Sequence, residues 1–307
     1  MITIISGMPK PNRVGSSLVR YICIIIKAHY SKCLIESITC RYSNTLICKC
    51  LNEYINIYNL QIDNQWKDKS YKKINLGDDH CGSGHGNKSC IISLLLKTTI
   101  DIKEDLNSYF KNNIYPDIIK IFNNYTLNYK LCYNPEKTIC LHLRLDDVTN
   151  EKDYDGSTSF NFFKEKINND NTNWCWNSGD YEEYFKSNNK PIIGRGKSTY
   201  QSPIPYPRII ELLNDLKHDY QNHEIIIIAS PKGGDIPLPY RTIRSEDPDL
   251  DLFYMINSDI LICSRSTFSL TASFLHKGTK VIFPKWGYTS SMGIESKYDK
   301  NLRKLYV

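Results

Sequence analysis

The chain has 307 residues, 41% hydrophobic and 23% charged, with 22 Tyr but only 15 Gly and 13 Pro. That composition excludes a disordered, collagen-like or low-complexity polymer, and at about 150 residues per domain the length predicts two domains. Lys and Arg number 39 against 33 Asp and Glu, and the surplus of +6 is interleaved along the chain, not gathered into a stripe. Nucleic-acid-binding proteins concentrate their cations on one face, so no nucleic-acid partner is expected. The surplus suits a small anion or plain solubility.

The first element is a short strand over 2–5. A Gly- and Pro-containing loop over 7–17 follows, and an amphipathic helix over 17–29. Strand, glycine loop and helix in that order let an α/β domain aim backbone N–H groups at a ligand. No basic flank and long apolar stretch precede a small-residue cleavage site, so no secretory signal is expected. The apolar run over 18–26 is broken by Arg20 and is about half the length a bilayer requires, so no transmembrane segment is expected. The 11 Cys, an odd number, then read as reduced thiols of a cytoplasmic protein. Cys33, Cys40, Cys48 and Cys50 cluster in the sequence, as do His80, Cys81, His85 and Cys90. Neither set has the paired spacing with which one turn presents two ligands to zinc, and no metal site is expected.

Helices are expected near 51–59, 101–109 and 115–124, with a Gly-rich polar loop over 76–88. From Lys137 the pattern sharpens. Strands are expected over 138–143, 224–230, 259–263 and 280–284. Helices are expected over 207–220, 249–257 and 266–275, with a loop over 231–247. Short, uniformly apolar strands alternating with helices predict a doubly wound parallel sheet covered on both faces. Ligands of such sheets bind at the carboxyl ends of the strands. Those ends carry His142, Arg144, Asp146 and Asp147; then Ser230 and Lys232; then Ser264, Arg265, Ser266, Thr267, Phe268 and Ser269. Cations, hydroxyls and a helix start are what a phosphate or diphosphate requires. Arg144 could grip two phosphate oxygens or pair with Asp146 or Asp147; Ser266 or Thr267 could cap the helix, face an anion, or both. No Gly-x-Gly-x-x-Gly follows a strand and no P-loop is present, which speaks against a dinucleotide cofactor and against a P-loop kinase or nucleotide hydrolase. Trp174 and Trp176, in the irregular tract 153–199, could stack on sugar rings or pin a polar loop.

The run His142-x-Arg144-x-x-Asp147 after a strand resembles the His-x-Arg-x-x-Asp signature of the fucosyltransferases that make α1,2-, α1,6- and O-linked fucose. The stretch from Asp251-Leu-Phe-Tyr-Met255 to Ser266-Thr-Phe-Ser269 resembles the second motif of that superfamily. Arg13-Val-Gly15-Ser16-Ser17 is similar to its N-terminal Gly loop, with Ser16-Ser17 where Asn-Gln is usual, and Leu270-Thr271 stands where an aromatic pair is frequent. The resemblance implies a GT-B-like fold of two Rossmann-like domains. Residues 1–130 would form the acceptor-side domain and 131–307 the nucleotide-sugar domain.

It further implies inverting, metal-independent fucosyl transfer from GDP-fucose to a glycan hydroxyl, with no cofactor. Gly15, Ser16, His142, Arg144, Ser230, Asp251 and 266–269 would bind the donor. Arg144 would hold the β-phosphate, and His142 and Asp147 would shape the pocket. Trp174 and Trp176 would face the acceptor. The base that takes the acceptor proton is open among Asp146, Asp78 and Asp79. Two alternatives stand beside this reading: a GT-B transferase with another nucleotide sugar, and a non-catalytic glycan-binding protein of the same fold.

Overall fold

The computed structural model describes residues 2–6, parts of 18–35, then 44–65, 71–75, 106–145, 206–231, 236–264 and 266–282. The chain divides into two compact units, Met1–Lys130 and Leu131–Val307. No helix among the described residues is long and apolar enough to cross a membrane.

In the first unit, β1 (Ile2–Ser6) lies between β2 (Leu34–Ile35) and β3 (Tyr71–Asn75), all parallel. Leu18, Tyr21, Ile22 and Ile25 are helical and buried; their i, i+3, i+4, i+7 spacing is one face of a helix turned to the core. Three helices follow: α1 (Leu46–Gln65), α2 (Leu106–Asn113) and α3 (Tyr115–Tyr125). The edge strand β2 is closed by a side chain: Asn59 Oδ1 accepts from the Ile35 N–H at 2.9 Å, and its Nδ2 donates to the Ile35 carbonyl at 2.6 Å. The amide thus does for one residue what a further strand would do for the row of unpaired groups. Neither β2 nor β3 is expected from the sequence. One is two residues long and the other reads Tyr-Lys-Lys-Ile-Asn, so neither has an apolar run to detect.

The second unit carries five parallel strands: β4 (Thr138–Leu143), β5 (Glu224–Ala229), β6 (Arg241–Ile243), β7 (Ile260–Ile262) and β8 (Lys280–Ile282), in the order β6-β5-β4-β7-β8. Helix α4 (Tyr206–Asp219) links β4 to β5, α5 (Pro248–Asn257) links β6 to β7, and α6 (Thr267–Leu275) links β7 to β8. This is the doubly wound α/β fold that the alternation predicts. Every residue of β4 is buried, as it must be when both faces are covered.

Period-2 geometry decides which side each residue faces. Ile139, Leu141 and Leu143 join Ile225, Ile227, Ile260 and Ile262 in one core with Ile209, Leu212, Leu213 and Leu216 of α4. The register pairs Cys140 with Ile226 and Leu261, and His142 with Ile228. Cys140 and His142 therefore face the opposite layer, where α5 and α6 pack together. The expected loop over 231–247 contains β6, a half-exposed edge strand too short to show a period.

At the amino edge, a polar cluster ties the connections together. Asp259 Oδ2 meets His223 Nε2 at 2.7 Å, and Thr279 donates to Asp259 Oδ1 from both its hydroxyl, at 2.7 Å, and its N–H, at 3.2 Å. Gly278 allows the approach: a Cβ there would lie 2.2 Å from the carbonyl oxygens of Ser258 and Asp259.

Candidate functional site

The strand order creates the site. From β4 the chain winds outward one way to β5 and β6, then returns to β7 and β8 on the other side. The connections leaving β4 and β7 therefore diverge, and the carboxyl ends of these two neighbours frame a crevice, the topological switch point of an open parallel sheet.

Three of the residues singled out from the sequence meet there. His142, at the end of β4, is buried, and its Nδ1 lies 2.6 Å from Ser264 Oγ, just past β7. The Phe268 ring packs against the imidazole with 5.7 Å between centroids. Burial, and then the nearby Arg144 guanidinium, push the His142 pKa down to about 3. The ring is therefore neutral throughout the physiological range. Arg144, half-buried, leaves the strand directly beside it.

Helix α6 begins opposite. Ser266 is its N-cap and accepts from the Phe268 N–H at 3.2 Å. The remaining first-turn N–H groups have no carbonyl within the helix to bond, so they and the helix dipole favour an anion at this end. The hydroxyls of this stretch divide by role. Ser269 is fully buried, and its Oγ donates to the carbonyls of Ser264 and Ser266 at 3.3 and 3.2 Å. Ser269 is thus built into the turn and holds it shut. Thr271 and Ser273 likewise bond back to the carbonyls of Thr267 and Leu270, the pattern by which hydroxyls are satisfied inside a helix.

Helix α5 contributes Asp251. The helix runs from the carboxyl edge back to the amino edge to feed β7, so its first turn lies on the same edge as the crevice. Asp247 caps it, Oδ1 accepting from the Asp249 N–H at 2.9 Å. Asp251 is only 9% exposed, and its Oδ1 has no hydrogen-bond partner among the described residues. Burial, and then the Asp247 charge, raise its pKa to about 7. A buried carboxyl oxygen without a partner is rare and marks a functional position more often than a structural one. The first-turn position alone would favour the anion, so burial outweighs the helix dipole here.

Ser230 follows β5, and its carbonyl accepts from Arg244 Nη1 at 2.7 Å. Arg244 follows β6 and adds a second cation to this edge that sequence reasoning passed over. The only signal was an Arg-Thr-Ile-Arg tetrapeptide inside an expected loop. Gly15, Ser16, Asp146, Asp147, Trp174 and Trp176, with Asp78 and Asp79, lie outside the described residues. So His142, Phe268 and the Ser266 cap are brought together, with Arg144 adjoining, while Ser230 and Asp251 share their edge of the sheet.

No family model and no curated protein matches the chain. Among solved structures it is similar to POFUT1 in complex with GDP, with 12% identity over 92% of this chain and 97% of that one and a TM-score of 0.36. The apo form of POFUT1 gives 13% identity over 93% and 97% with a TM-score of 0.37. POFUT1 in complex with GDP-fucose gives 10% over 92% and 97% with a TM-score of 0.34.

Proposed function

We propose that this protein is an inverting, metal-independent glycosyltransferase that moves fucose from GDP-fucose to a hydroxyl of a glycan. The observation that carries the reading is the meeting of the neutral His142–Ser264 pair and the capped start of α6 at the switch point of a parallel sheet, with Arg144 at its rim. The three-motif likeness of the sequence to fucosyltransferases supports it. Unit 131–307 then holds the donor and unit 1–130 the acceptor side, with Trp174 and Trp176 toward the glycan. The buried thiols Cys140 and Cys263 fit a reducing, cytoplasmic setting.

Each group has a task. The acceptor oxygen forms its bond to the anomeric carbon as the bond from that carbon to the diphosphate oxygen breaks, and the electron pair departs with GDP. Arg144 and the first turn of α6 meet charge that grows as this bond breaks, so they stabilise the transition state more than the bound donor. Ionised Asp251 presents two acceptors side by side, a fork suited to the adjacent N1–H and N2–H donors of guanine. The acceptor proton passes to a carboxylate within hydrogen-bond reach, with Asp146, Asp78 and Asp79 as the candidates; Asp147 helps shape the pocket.

Thermal-shift titration with GDP, UDP and dTDP tests the reading, because a ligand bound only by the folded state raises the melting temperature. GDP should raise it most, and GDP-fucose should be hydrolysed slowly without acceptor. A larger shift with UDP or dTDP assigns another nucleotide sugar. No shift with any of the three, and no donor hydrolysis, overturns the transferase reading in favour of a glycan-binding protein of the same fold.

A further inference from the structure

Ser264 is given no task in the transfer step above, yet it joins the two halves of the crevice. Its Oγ lies 2.6 Å from His142 Nδ1, across from β4. Its carbonyl accepts from the Ser266 N–H at 2.8 Å and from Ser269 Oγ at 3.3 Å, which fixes the turn that starts α6. Both His142 and Ser264 are buried, so whatever proton lies between them must be matched by an acceptor.

A serine hydroxyl carries one proton and two lone pairs, whereas a neutral imidazole has one N–H and one bare nitrogen. If Nδ1 carried the proton, Ser264 Oγ would accept it. The hydroxyl's own hydrogen would then have no acceptor among the described residues, a loss that buried donors rarely sustain. If Oγ–H donates to a bare Nδ1, the hydroxyl hydrogen is satisfied and the ring proton sits on Nε2, where water or a ligand must accept it. The Arg144 guanidinium, after burial, keeps the ring neutral, since its charge disfavours a second proton.

We infer that Ser264 is a positioning residue: its hydroxyl holds His142 as the Nε2–H tautomer, so that a neutral ring N–H beside the Arg144 guanidinium serves as a fixed hydrogen-bond donor to a phosphate oxygen of the ligand in the crevice. The tautomer rests on Nδ1 being the one acceptor that the Ser264 hydroxyl meets among the described residues; the identity of the oxygen that Nε2–H meets rests on the nucleotide-sugar reading. A neutral donor has a specific use here. It adds a hydrogen bond that strengthens as charge builds on the departing diphosphate, without placing a second full positive charge beside Arg144. The Phe268 ring packs against the imidazole, with 5.7 Å between centroids.

The experiment uses the full chain labelled with ¹⁵N-histidine and follows the ring nitrogens of His142, assigned by loss of its signals in His142→Gln. Without ligand, Nδ1 should show the resonance of a bare nitrogen and Nε2 that of a protonated one. Ser264→Ala should shift the ring toward a mixture of tautomers with the melting temperature nearly unchanged. Ser264→Thr, which keeps the hydroxyl, should restore the wild-type pattern. GDP affinity should fall in Ser264→Ala by the factor by which the Nε2–H population falls, about twofold for an even mixture, and recover in Ser264→Thr. His142→Gln, whose amide nitrogen reaches the place of Nε2, should keep more affinity than His142→Asn, whose amide reaches only the place of Nδ1. A wild-type ring protonated on Nδ1, or an unchanged tautomer in Ser264→Ala, overturns the assignment whatever the ligand. An Nε2–H tautomer that neither GDP nor pyrophosphate perturbs leaves the role of Ser264 in fixing the ring supported and refutes the nucleotide reading instead.

Discussion

Asp251→Asn is the substitution that separates folding from function most sharply. The side chain keeps its shape, and only the ability to ionise is lost. In the folded chain the carboxyl titrates near pH 7, through burial and the Asp247 charge, whereas an unfolded Asp titrates near pH 4. The folded state therefore binds this proton more tightly than the unfolded state does. Its contribution to stability is most favourable below the unfolded pKa and falls as pH rises, levelling off above about pH 7.

A difference of about three pKa units at about 1.36 kcal/mol each amounts to roughly 4 kcal/mol of destabilisation at pH 8 and well under 1 kcal/mol at pH 4. Asp251→Asn should remove that penalty. Urea titrations followed by far-UV circular dichroism should show the variant more stable by roughly 4 kcal/mol at pH 8 and indistinguishable at pH 4. The same variant should bind GDP weakly at every pH, because one acceptor of the fork has become a donor. A variant equally stable at both pH values, or one that is destabilised at pH 8, refutes the picture of a buried carboxyl whose Oδ1 is left for a ligand.

Further outcomes follow from the same geometry. In wild type, GDP should bind about tenfold more weakly per pH unit below roughly pH 6, as Asp251 takes up its proton, and isothermal titration at several pH values reads this directly. Arg144→Ala should lower donor turnover by about 10²–10³-fold with the melting temperature little changed; retained activity would remove the residue from the diphosphate. Gly278→Ala should destabilise the second unit by about 3 kcal/mol or more, since its Cβ would sit 2.2 Å from two backbone carbonyl oxygens, and thermal denaturation measures the loss.

Asp259 answers to acid in the opposite sense from Asp251. Burial pushes its pKa up, but hydrogen bonds from Thr279 and His223 outweigh burial and hold it below the ordinary carboxylate value. Its stabilisation is present above the unfolded pKa and is lost as pH falls through the folded one. Asp259→Asn should therefore lower the melting temperature at pH 7 and blunt its fall in acid.

Much of the second unit is legible in the sequence because its signals are local. The runs over 138–143 and 224–229 are apolar enough to be buried strands. Ile209, Leu212, Leu213 and Leu216 fall on one helical stripe, and Ser266 caps α6 close to where the hydroxyl-rich stretch predicts a start. The residues at the strand ends are legible as well, because a parallel sheet presents its carboxyl ends together. Strands β2, β3 and β6 are not legible: they are short or polar and gain their place from neighbours, β2 from the Asn59 amide and β6 from its pairing with β5.

Periodicity by itself determined that the second half of this chain folds as a wound α/β unit with cations and hydroxyls at one rim. What only the tertiary structure decided is which of those groups face one another. Strand order placed β7 beside β4, and register brought Ser264 to His142, 122 residues apart in sequence. Burial then turned Asp251, an ordinary acidic residue in the sequence, into a carboxyl poised near neutral pH. Distance in sequence carries no record of such pairings. They arise when the sheet closes, because the free energy of a proton or a hydrogen bond depends on the water that folding has excluded.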